Sequence, residues 1–196
     1  MKSSITPFVA APLALACLLF TASAARAESA TYKVETGHTY VTWEAQHFGT
    51  STNRGRFDKK DGSITIDRAA KTGKADITIE TASVNTGLSL FDKHLQGENF
   101  FKSVEFPKAT FVGDKFTFDG NKVTAVAGTL TLLGVTQPVT LKATNFNCYE
   151  SPFFKREVCG GDFETTITRS AYGMTYGLPG IPDNIRLLIQ IEAVKQ

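Results

Sequence analysis

The histidines and cysteines are the residues of this chain best suited to chemistry, and there are three of each. His38 and His47 are nine residues apart, so an unbulged strand would carry them on opposite faces, and a metal site would need ligands from elsewhere. Asp92 and His94 are two residues apart, so they point in different directions if a helix carries both. The sequence motifs of serine hydrolases, zinc proteases, dinucleotide-binding folds, P-loops and C-x-x-C redox proteins are absent. The sequence therefore predicts no catalytic site, no metal site and no cofactor.

The N-terminal segment has the features of a secretory signal peptide. Lys2 precedes an apolar stretch from Phe8 to Phe20, and Ala25-Arg26-Ala27 offers a cleavage site. The apolar stretch is about 13 residues long, which is short of the roughly 20 residues that a membrane-spanning helix needs. We therefore predict that residues 1–27 are removed on export, with a retained anchor as the less favoured alternative.

Removal of residues 1–27 changes both the cysteine count and the charge. Cys148 and Cys159 are left, and an even pair in an exported protein indicates a disulfide bond, with a reactive thiol pair as the alternative. Lys2 and Arg26 leave as well, so 19 of the 21 basic residues stand against 19 acidic ones. A chain without net charge has no general attraction to nucleic acid, and this one has no Lys/Arg run for an anionic bilayer. We expect neither a nucleic-acid partner nor stable membrane insertion after signal cleavage.

Alternation of apolar and polar residues dominates the chain from Glu28 to the C-terminus. The clearest example is the run from Ile185 to Ile191, in which every odd-numbered position is Ile or Leu. Short turn sequences such as Asp119-Gly120-Asn121 and Leu133-Gly134 separate such runs. Seven to nine short strands joined as hairpins, in one domain over residues 28–196, are predicted. Alternation alone does not choose between a sandwich and a closed barrel.

One segment breaks this alternation and has apolar residues at helical spacing. Ser89 stands where an N-cap would be, and Gly97 stands where a helix would end. We predict a short helix over about Leu90–Gln96, with a further turn up to Lys102.

Phenylalanine is abundant in the mature chain. Thirteen of the 15 phenylalanines follow residue 27, many of them at strand positions that should face inward. A sandwich would use these side chains to fill its core. A closed barrel of about eight strands either fills its interior with side chains or encloses one elongated ligand. A filled core and a ligand cavity therefore both stay open at this point.

A set of motifs spread over nearly all of the mature chain resembles the YceI-like family of lipocalin-like, polyisoprenoid-binding proteins. This chain departs from the family at Phe91, where an Arg is frequent, and at Trp43, where a Phe is usual. The matching residues and blocks are Tyr32, His38–Trp43, His47–Gly49, Gly55–Phe57, Thr86, Asp92–Leu95, Phe100-Phe101, Phe106–Phe111, Gly128–Val139 and Thr168–Met174.

The resemblance implies an all-β fold, namely a lipocalin-like eight-stranded antiparallel β-barrel with one or two short helices. It also implies a periplasmic protein that binds the chain of a polyisoprenoid lipid or an isoprenoid quinone in an apolar tunnel, without bond chemistry and without a cofactor. Under this hypothesis His94, Arg169 and Tyr172 are head-group contacts. The tunnel wall is predicted to comprise Val41, Trp43, Phe57, Ile77, Ile79, Phe100, Phe101, Phe111, Leu130, Leu132, Leu141, Met174, Leu187 and Ile189.

Two other classes of function stay open beside the lipid carrier. A structural or partner-binding β-domain would have a filled core, and a cavity-based hydrolase or isomerase would show turnover. His94 and Arg169 also have an ordinary structural interpretation, as hydrogen-bonding residues that fasten the helix to the barrel. The oligomeric state, including a homodimer, is not fixed by the sequence.

Overall fold

The computed structural model of the protein describes residues 29–196, which are mostly antiparallel strand. Within these residues there is one α-helix, α1 (Ser89–Gln96), and there are two short 3-10 helices, Thr81–Ser83 and Arg169–Tyr172. The strands are β1 (Ala30–Val34), β2 (Tyr40–His47), β3 (Ser51–Phe57), β4 (Lys60–Asp67), β5 (Thr72–Glu80), β6 (Val84–Asn85), β7 (Lys108–Asp119), β8 (Lys122–Leu132), β9 (Val135–Glu150), β10 (Glu157–Thr168) and β11 (Asn184–Lys195).

The strands close into a single antiparallel barrel. Hydrogen-bonded neighbours run in the order β1-β4-β5-β7-β8-β9-β10-β11, and β11 pairs with β1 to complete the ring. Strands β2, β3 and β6 continue β1, β4 and β5 past short breaks, and β2 pairs with the first half of β11. The barrel therefore has eight long strands, three of them interrupted, which confirms the predicted eight-stranded barrel.

The three breaks lie at one level of the barrel. Phe57 ends β3 opposite Val41 near the start of β2, and Lys60 begins β4 opposite Ile79 near the end of β5. Irregular backbone at one level divides the barrel into two halves along its axis. The breaks occupy residues 35–39, 58–59 and 81–83.

Strand faces follow the sequence alternation because successive side chains of a strand point to opposite faces. On β11, Leu187 and Ile189 face the interior, whereas Arg186 lies outside and binds Glu164 of β10. The turn between β8 and β9 uses Leu133 and Gly134, both with positive φ (51° and 74°), as a two-residue hairpin turn requires.

Helix α1 covers Ser89–Gln96, one residue more than predicted at its start. The proposed capping role of Ser89 is wrong: Leu88 is the N-cap residue, and no side chain caps the helix. The carboxylate of Asp92 instead accepts hydrogen bonds from the backbone N–H and the hydroxyl of Thr86, at 2.7 and 2.6 Å, and so ties the helix to the preceding segment. Gly97 ends the helix as predicted, and the following residues up to Lys102 form turns.

The predicted disulfide is present, and it joins Cys148 of β9 to its directly paired residue Cys159 of β10. The predicted signal peptide, residues 1–27, lies outside the described residues. Within residues 29–196, no helix has the length and apolar character needed to cross a bilayer.

Candidate functional site

The barrel interior contains two adjoining cavities rather than a solid core. The larger one, here called the wide chamber, has a volume of about 680 Å³ and lies in the half of the barrel built from β2, β3 and β6 with helix α1. The smaller one, the narrow chamber, has a volume of about 110 Å³ and lies in the half that contains β1 and β4. The surfaces of both chambers are almost entirely apolar, so they are suited to bind a hydrocarbon chain.

Four side chains belong to the walls of both chambers, and we call this ring the waist. Each of the four comes from a different strand, namely β2, β5, β8 and β11, and the ring lies at the level of the three strand breaks. A ligand longer than the wide chamber would have to pass this ring. The waist consists of Val41, Ile79, Leu130 and Leu187.

All fourteen residues predicted to form the apolar wall line one or both chambers. The narrow chamber receives four of them that are not in the waist, and the wide chamber receives six. Those of the narrow chamber are Ile77, Phe111, Leu141 and Ile189. Those of the wide chamber are Trp43, Phe57, Phe100, Phe101, Leu132 and Met174.

Arg169 lines the wide chamber, but its guanidinium is occupied by the protein itself. It is buried and donates four hydrogen bonds to main-chain carbonyl oxygens of the following loop, residues 173–183, over distances of 2.8–3.0 Å. Burial lowers the pKa of Arg169 and the nearby Asp183 carboxylate raises it, with a net lowering; an arginine stays protonated regardless. The geometry makes Arg169 the organiser of the loop that forms one side of the chamber. The acceptors are the carbonyl oxygens of Met174, Tyr176, Ile181 and Pro182.

His94 is the predicted head-group residue whose polar atoms are free to meet a ligand. It lies on α1, lines the wide chamber and is exposed at its outer end. The ring packs edge-on against Phe100 and Tyr176, with centroid distances of 5.1 and 6.0 Å, and neither ring nitrogen hydrogen-bonds to a residue among 29–196. An imidazole in this position can donate to or accept from a polar group at the chamber entrance.

Tyr172, the third predicted head-group residue, is part of neither chamber wall. Its side chain is buried in the core, and its hydroxyl has no hydrogen-bond partner among the described residues. Burial raises the pKa of this hydroxyl, which therefore stays protonated. The structure thus places Tyr172 outside both chamber walls, and its head-group contact stays a prediction.

Several wall residues have no counterpart in the predicted set. Lys60 is the most unexpected because it is buried in the wall of the narrow chamber. Its strand position has the same parity as Ile64 and Ile66, so alternation would have indicated an inward side chain. The ammonium lies 4.4 Å from the Tyr40 ring centroid and donates to the carbonyl oxygen of Asp58, and burial lowers its pKa.

Of the other unpredicted wall residues, many lie on strands with inward parity, and some come from loops, where no periodicity marks them. In the wide chamber they include Phe48 and Tyr176, and Phe91 and Leu95 contribute from α1. The polar side chains of this wall, besides His94 and Arg169, are His47 and Asn53.

A charged cluster lies beside the disulfide, and Tyr32, one of its members, lines the narrow chamber. Glu157 accepts a hydrogen bond from the Tyr32 hydroxyl at 2.6 Å and two from Arg68 at 2.7 and 2.8 Å. Burial would raise the pKa of Glu157, but these hydrogen bonds outweigh it and the net pKa is lowered. Burial and the same contact raise the pKa of Tyr32 to about 12. Glu157 also lies close to both cysteines, whose sulfurs are joined to each other and not free to bind a metal.

Comparison with known proteins places this barrel in a family. The model of the YceI-like domain matches residues 32–193. The chain belongs to the YceI-like family. A YceI-like relative, Protein YceI of Salmonella arizonae, is 35% identical over 199 residues, which cover 100% of both chains.

Solved structures share the barrel. The crystal structure of the Campylobacter jejuni YceI protein has a TM-score of 0.69 and 30% identity, over 77% of this chain and 90% of that one. A structure described as a polyisoprenoid binding domain from Saccharophagus degradans, implicated in plant cell wall breakdown, has a TM-score of 0.59 and 15% identity, over 86% and 100% of the two chains. The latter, at this level of identity, shows the common fold alone.

Proposed function

We propose that this YceI-like protein binds one amphiphilic long-chain lipid, a polyisoprenoid or an isoprenoid quinone, and stores or carries it in the periplasm. The observation that carries the proposal is the pair of adjoining apolar chambers along the barrel axis. The description of a protein of the same fold as a polyisoprenoid binding domain supports the same class of ligand.

The chamber volumes and the transfer free energy of hydrocarbon agree with this ligand class. The wide chamber, at about 680 Å³, lies within the range of roughly 300–1,000 Å³ that is typical of small-molecule sites. Each buried methylene group contributes about 0.8 kcal/mol, so five isoprene units, or about 25 carbons, offset the entropic cost of association. Burial of the chain therefore suffices for stable binding without a covalent bond.

The position of polar side chains in the chamber walls indicates which way round the lipid lies in the barrel. His94 stands at the outer end of the wide chamber with free ring nitrogens, whereas the waist offers only aliphatic side chains. A polar group at the waist would lose its hydration without a partner, which is costly. In our proposal the head group lies near His94, and the isoprenoid chain extends past the waist into the narrow chamber.

We infer that the protein acts by binding rather than by catalysis. Neither chamber wall contains a carboxylate among the described residues, and the sulfur of Cys159 is bonded to Cys148. His94 therefore has no acidic partner in the wall with which to move a proton. Removal of residues 1–27 on export, and function without a cofactor, belong to the same proposal.

The proposal is tested by analysing what the protein carries out of the cell. The full chain is expressed in a bacterium with its N-terminal segment, purified from the periplasm, extracted with organic solvent and analysed by mass spectrometry. We expect a near-stoichiometric isoprenoid lipid. Absence of any such lipid, together with no uptake of an added prenyl quinone, would contradict the proposal.

Uptake of a quinone can be followed by tryptophan fluorescence. Trp43 is the only tryptophan of the chain, and it lies in the wall of the wide chamber. A quinone that enters this chamber should quench its fluorescence. Val41→Glu, which places a charge in the waist, should abolish quenching, while Thr42→Glu, on the outer face opposite Arg56, serves as the control that keeps it. Equal quenching in both variants would count against the chamber as the binding site.

A further inference from the structure

The outer end of the wide chamber is surrounded by exposed apolar side chains. Of the eleven large hydrophobic residues that are exposed in the described chain, seven belong to the segments at this end, which we call the mouth. Scattered exposed hydrophobic residues are normal, but a concentration around one opening marks an interaction surface. The seven are Phe48, Leu88, Leu90, Val104, Val135, Tyr176 and Leu178.

This surface is continuous with the ligand cavity. Phe48 and Tyr176 are exposed at the mouth and also line the wide chamber, so the apolar lining passes outward without a polar boundary at these two residues. Helix α1 also contributes apolar side chains both to the chamber wall and to the exposed surface of the mouth. Phe91 and Leu95 of α1 line the chamber, whereas Leu90 is 76% exposed.

The charges at the mouth indicate what kind of partner it meets. The segment from the end of β6 to the start of β7 carries two lysines and three acidic residues, and Glu98 is 3.8 Å from Lys102. The loop after Arg169 contributes one acidic residue, Asp183, whose carboxylate binds Ser170. A surface without excess positive charge and with exposed Leu, Val and Phe side chains is suited to the apolar part of a bilayer interface rather than to anionic groups.

We propose that the mouth docks on the surface of a phospholipid bilayer, where the protein takes up or releases its lipid. This inference rests on the proposed function, and it identifies the membrane as the partner from which the ligand comes. The docked end shields the isoprenoid chain from water during transfer, because the exposed side chains enter the bilayer while the chamber opens between them. Since contact is apolar, docking does not require anionic lipid and depends little on salt.

The opposite end of the barrel provides a matched control. The hairpin tip between β9 and β10 exposes Phe153, at 90%, and Phe154 next to Lys155 and Arg156. Neither cation makes an ion pair within the described residues. If this tip were the docking element, binding would need anionic lipid and would weaken in salt, which is the reverse of the expectation for the mouth.

The test is co-sedimentation of the full mature protein with vesicles that contain no isoprenoid. One vesicle type is phosphatidylcholine alone, and the other also contains phosphatidylglycerol. We compare the wild type with a mouth variant, Leu88→Ser with Leu90→Ser and Val104→Ser, and a tip variant, Phe153→Ser with Phe154→Ser. None of the three mouth residues lines a chamber, so quenching of Trp43 by a soluble prenyl quinone should be unchanged in the mouth variant.

We expect the wild type and the tip variant to bind both vesicle types equally. The mouth variant should bind at least about tenfold more weakly than the wild type. As a second measurement, a polarity-sensitive fluorophore on Leu90→Cys should shift to the blue on vesicles, and the same label on Phe153→Cys should not. Lack of binding by the wild type, loss in the tip variant only, or a solution dimer that the mouth variant dissociates would overturn the inference. Intact quinone quenching alongside any of these results would leave the proposed function standing, whereas loss of quenching with intact vesicle binding would overturn the proposed function alone.

Discussion

The indole ring of Trp43 packs directly against Gly55, its cross-strand neighbour in the β2–β3 hairpin. A Cβ atom at position 55 would lie 2.7 Å from indole Cε2, which is closer than real Cβ contacts. Trp43 is buried, and its Nε1 has no hydrogen-bond partner among the described residues. Gly55 therefore determines how far the ring of Trp43 stands into the wide chamber.

Gly55→Ala should displace the indole ring toward the chamber. We expect a loss of about 1–3 kcal/mol in the free energy of unfolding, as for other overpacked cores, and weaker binding of a prenyl quinone. Urea unfolding and the emission maximum of Trp43 measure the two effects. Trp43→Phe in the Gly55→Ala background should recover most of the stability because its ring is smaller. Unchanged stability and binding in Gly55→Ala alone would show that the wall at this point is loosely packed.

Val41→Phe should make binding depend on ligand length. Val41 is part of the waist, so a larger side chain there obstructs passage from the wide chamber to the narrow one. We expect affinity for a long prenyl quinone to fall by about tenfold or more and affinity for a short-chain analogue to change by less than about threefold. Titration of Trp43 fluorescence gives both values, and Thr42→Phe on the outer face is the control. An equal loss for both ligands would mean that the chain does not cross the waist.

Arg169→Lys should weaken the loop that borders the mouth. Lysine keeps the positive charge but cannot supply four directed hydrogen bonds, so main-chain carbonyl groups lose their donors. Each unsatisfied buried group costs about 1–3 kcal/mol, so we expect a destabilisation of about 3 kcal/mol or more. Arg186→Lys, at an exposed ion pair, should leave stability nearly unchanged because solvent screens the pair. Thermal unfolding of both variants decides, and similar melting temperatures would refute the role of Arg169 as loop organiser.

Glu157 should contribute a stability that disappears in acid. The pKa of its carboxyl group is lowered in the folded protein, so the ionised form favours folding. This contribution is complete above the pKa of an unfolded glutamate, about 4.3, and is lost as the pH falls through the lower folded value. The difference in unfolding free energy between the wild type and Glu157→Gln should therefore be constant near neutral pH and shrink below about pH 4. A constant difference at all pH values for Glu157→Gln would contradict the argument.

The Cys148–Cys159 bond should stabilise the fold without being required for binding. The two residues are 11 positions apart, and closure of so short a loop is worth about 3 kcal/mol at most. Cys148→Ser with Cys159→Ser should lower the free energy of unfolding by up to that amount, and a reductant should affect only the wild type. Quinone binding should persist because the disulfide lies by the narrow chamber, far from His94. Loss of binding in a folded variant would assign the disulfide a functional role.

The predictions from sequence succeeded where a residue's environment depends on strand parity. Leu187 and Ile189 face inward because every second side chain of a strand must, and the same rule would have placed Lys60 in the wall. The prediction of the helix cap failed for Ser89. The helix begins one residue earlier than predicted, so Leu88 is the N-cap residue and Ser89 is an ordinary residue of the first turn. The burial of the Tyr172 hydroxyl could not be predicted either, because nothing local distinguishes a hydroxyl buried in the core from one at a chamber wall.

The partners of Arg169 lie beyond the reach of sequence patterns. They are main-chain carbonyl groups of an irregular loop. Every residue has such a group, so no residue type in the sequence indicates which ones Arg169 binds. Phe48 and Tyr176 likewise reach the wide chamber from loops in which side-chain direction has no period.

Residue order alone was enough to predict an antiparallel β-domain with apolar inner faces, because alternation and turn residues are local features, and the leader-like segment is the local feature behind the proposed export. Whether the sheet would close, and whether its centre would be hollow, was decided by distant pairings such as Tyr32 with Lys195 and by how far the inward side chains reach across the barrel. Closure of the sheet and the width of its interior depend on strand number and stagger, which arise only when the whole sheet is assembled.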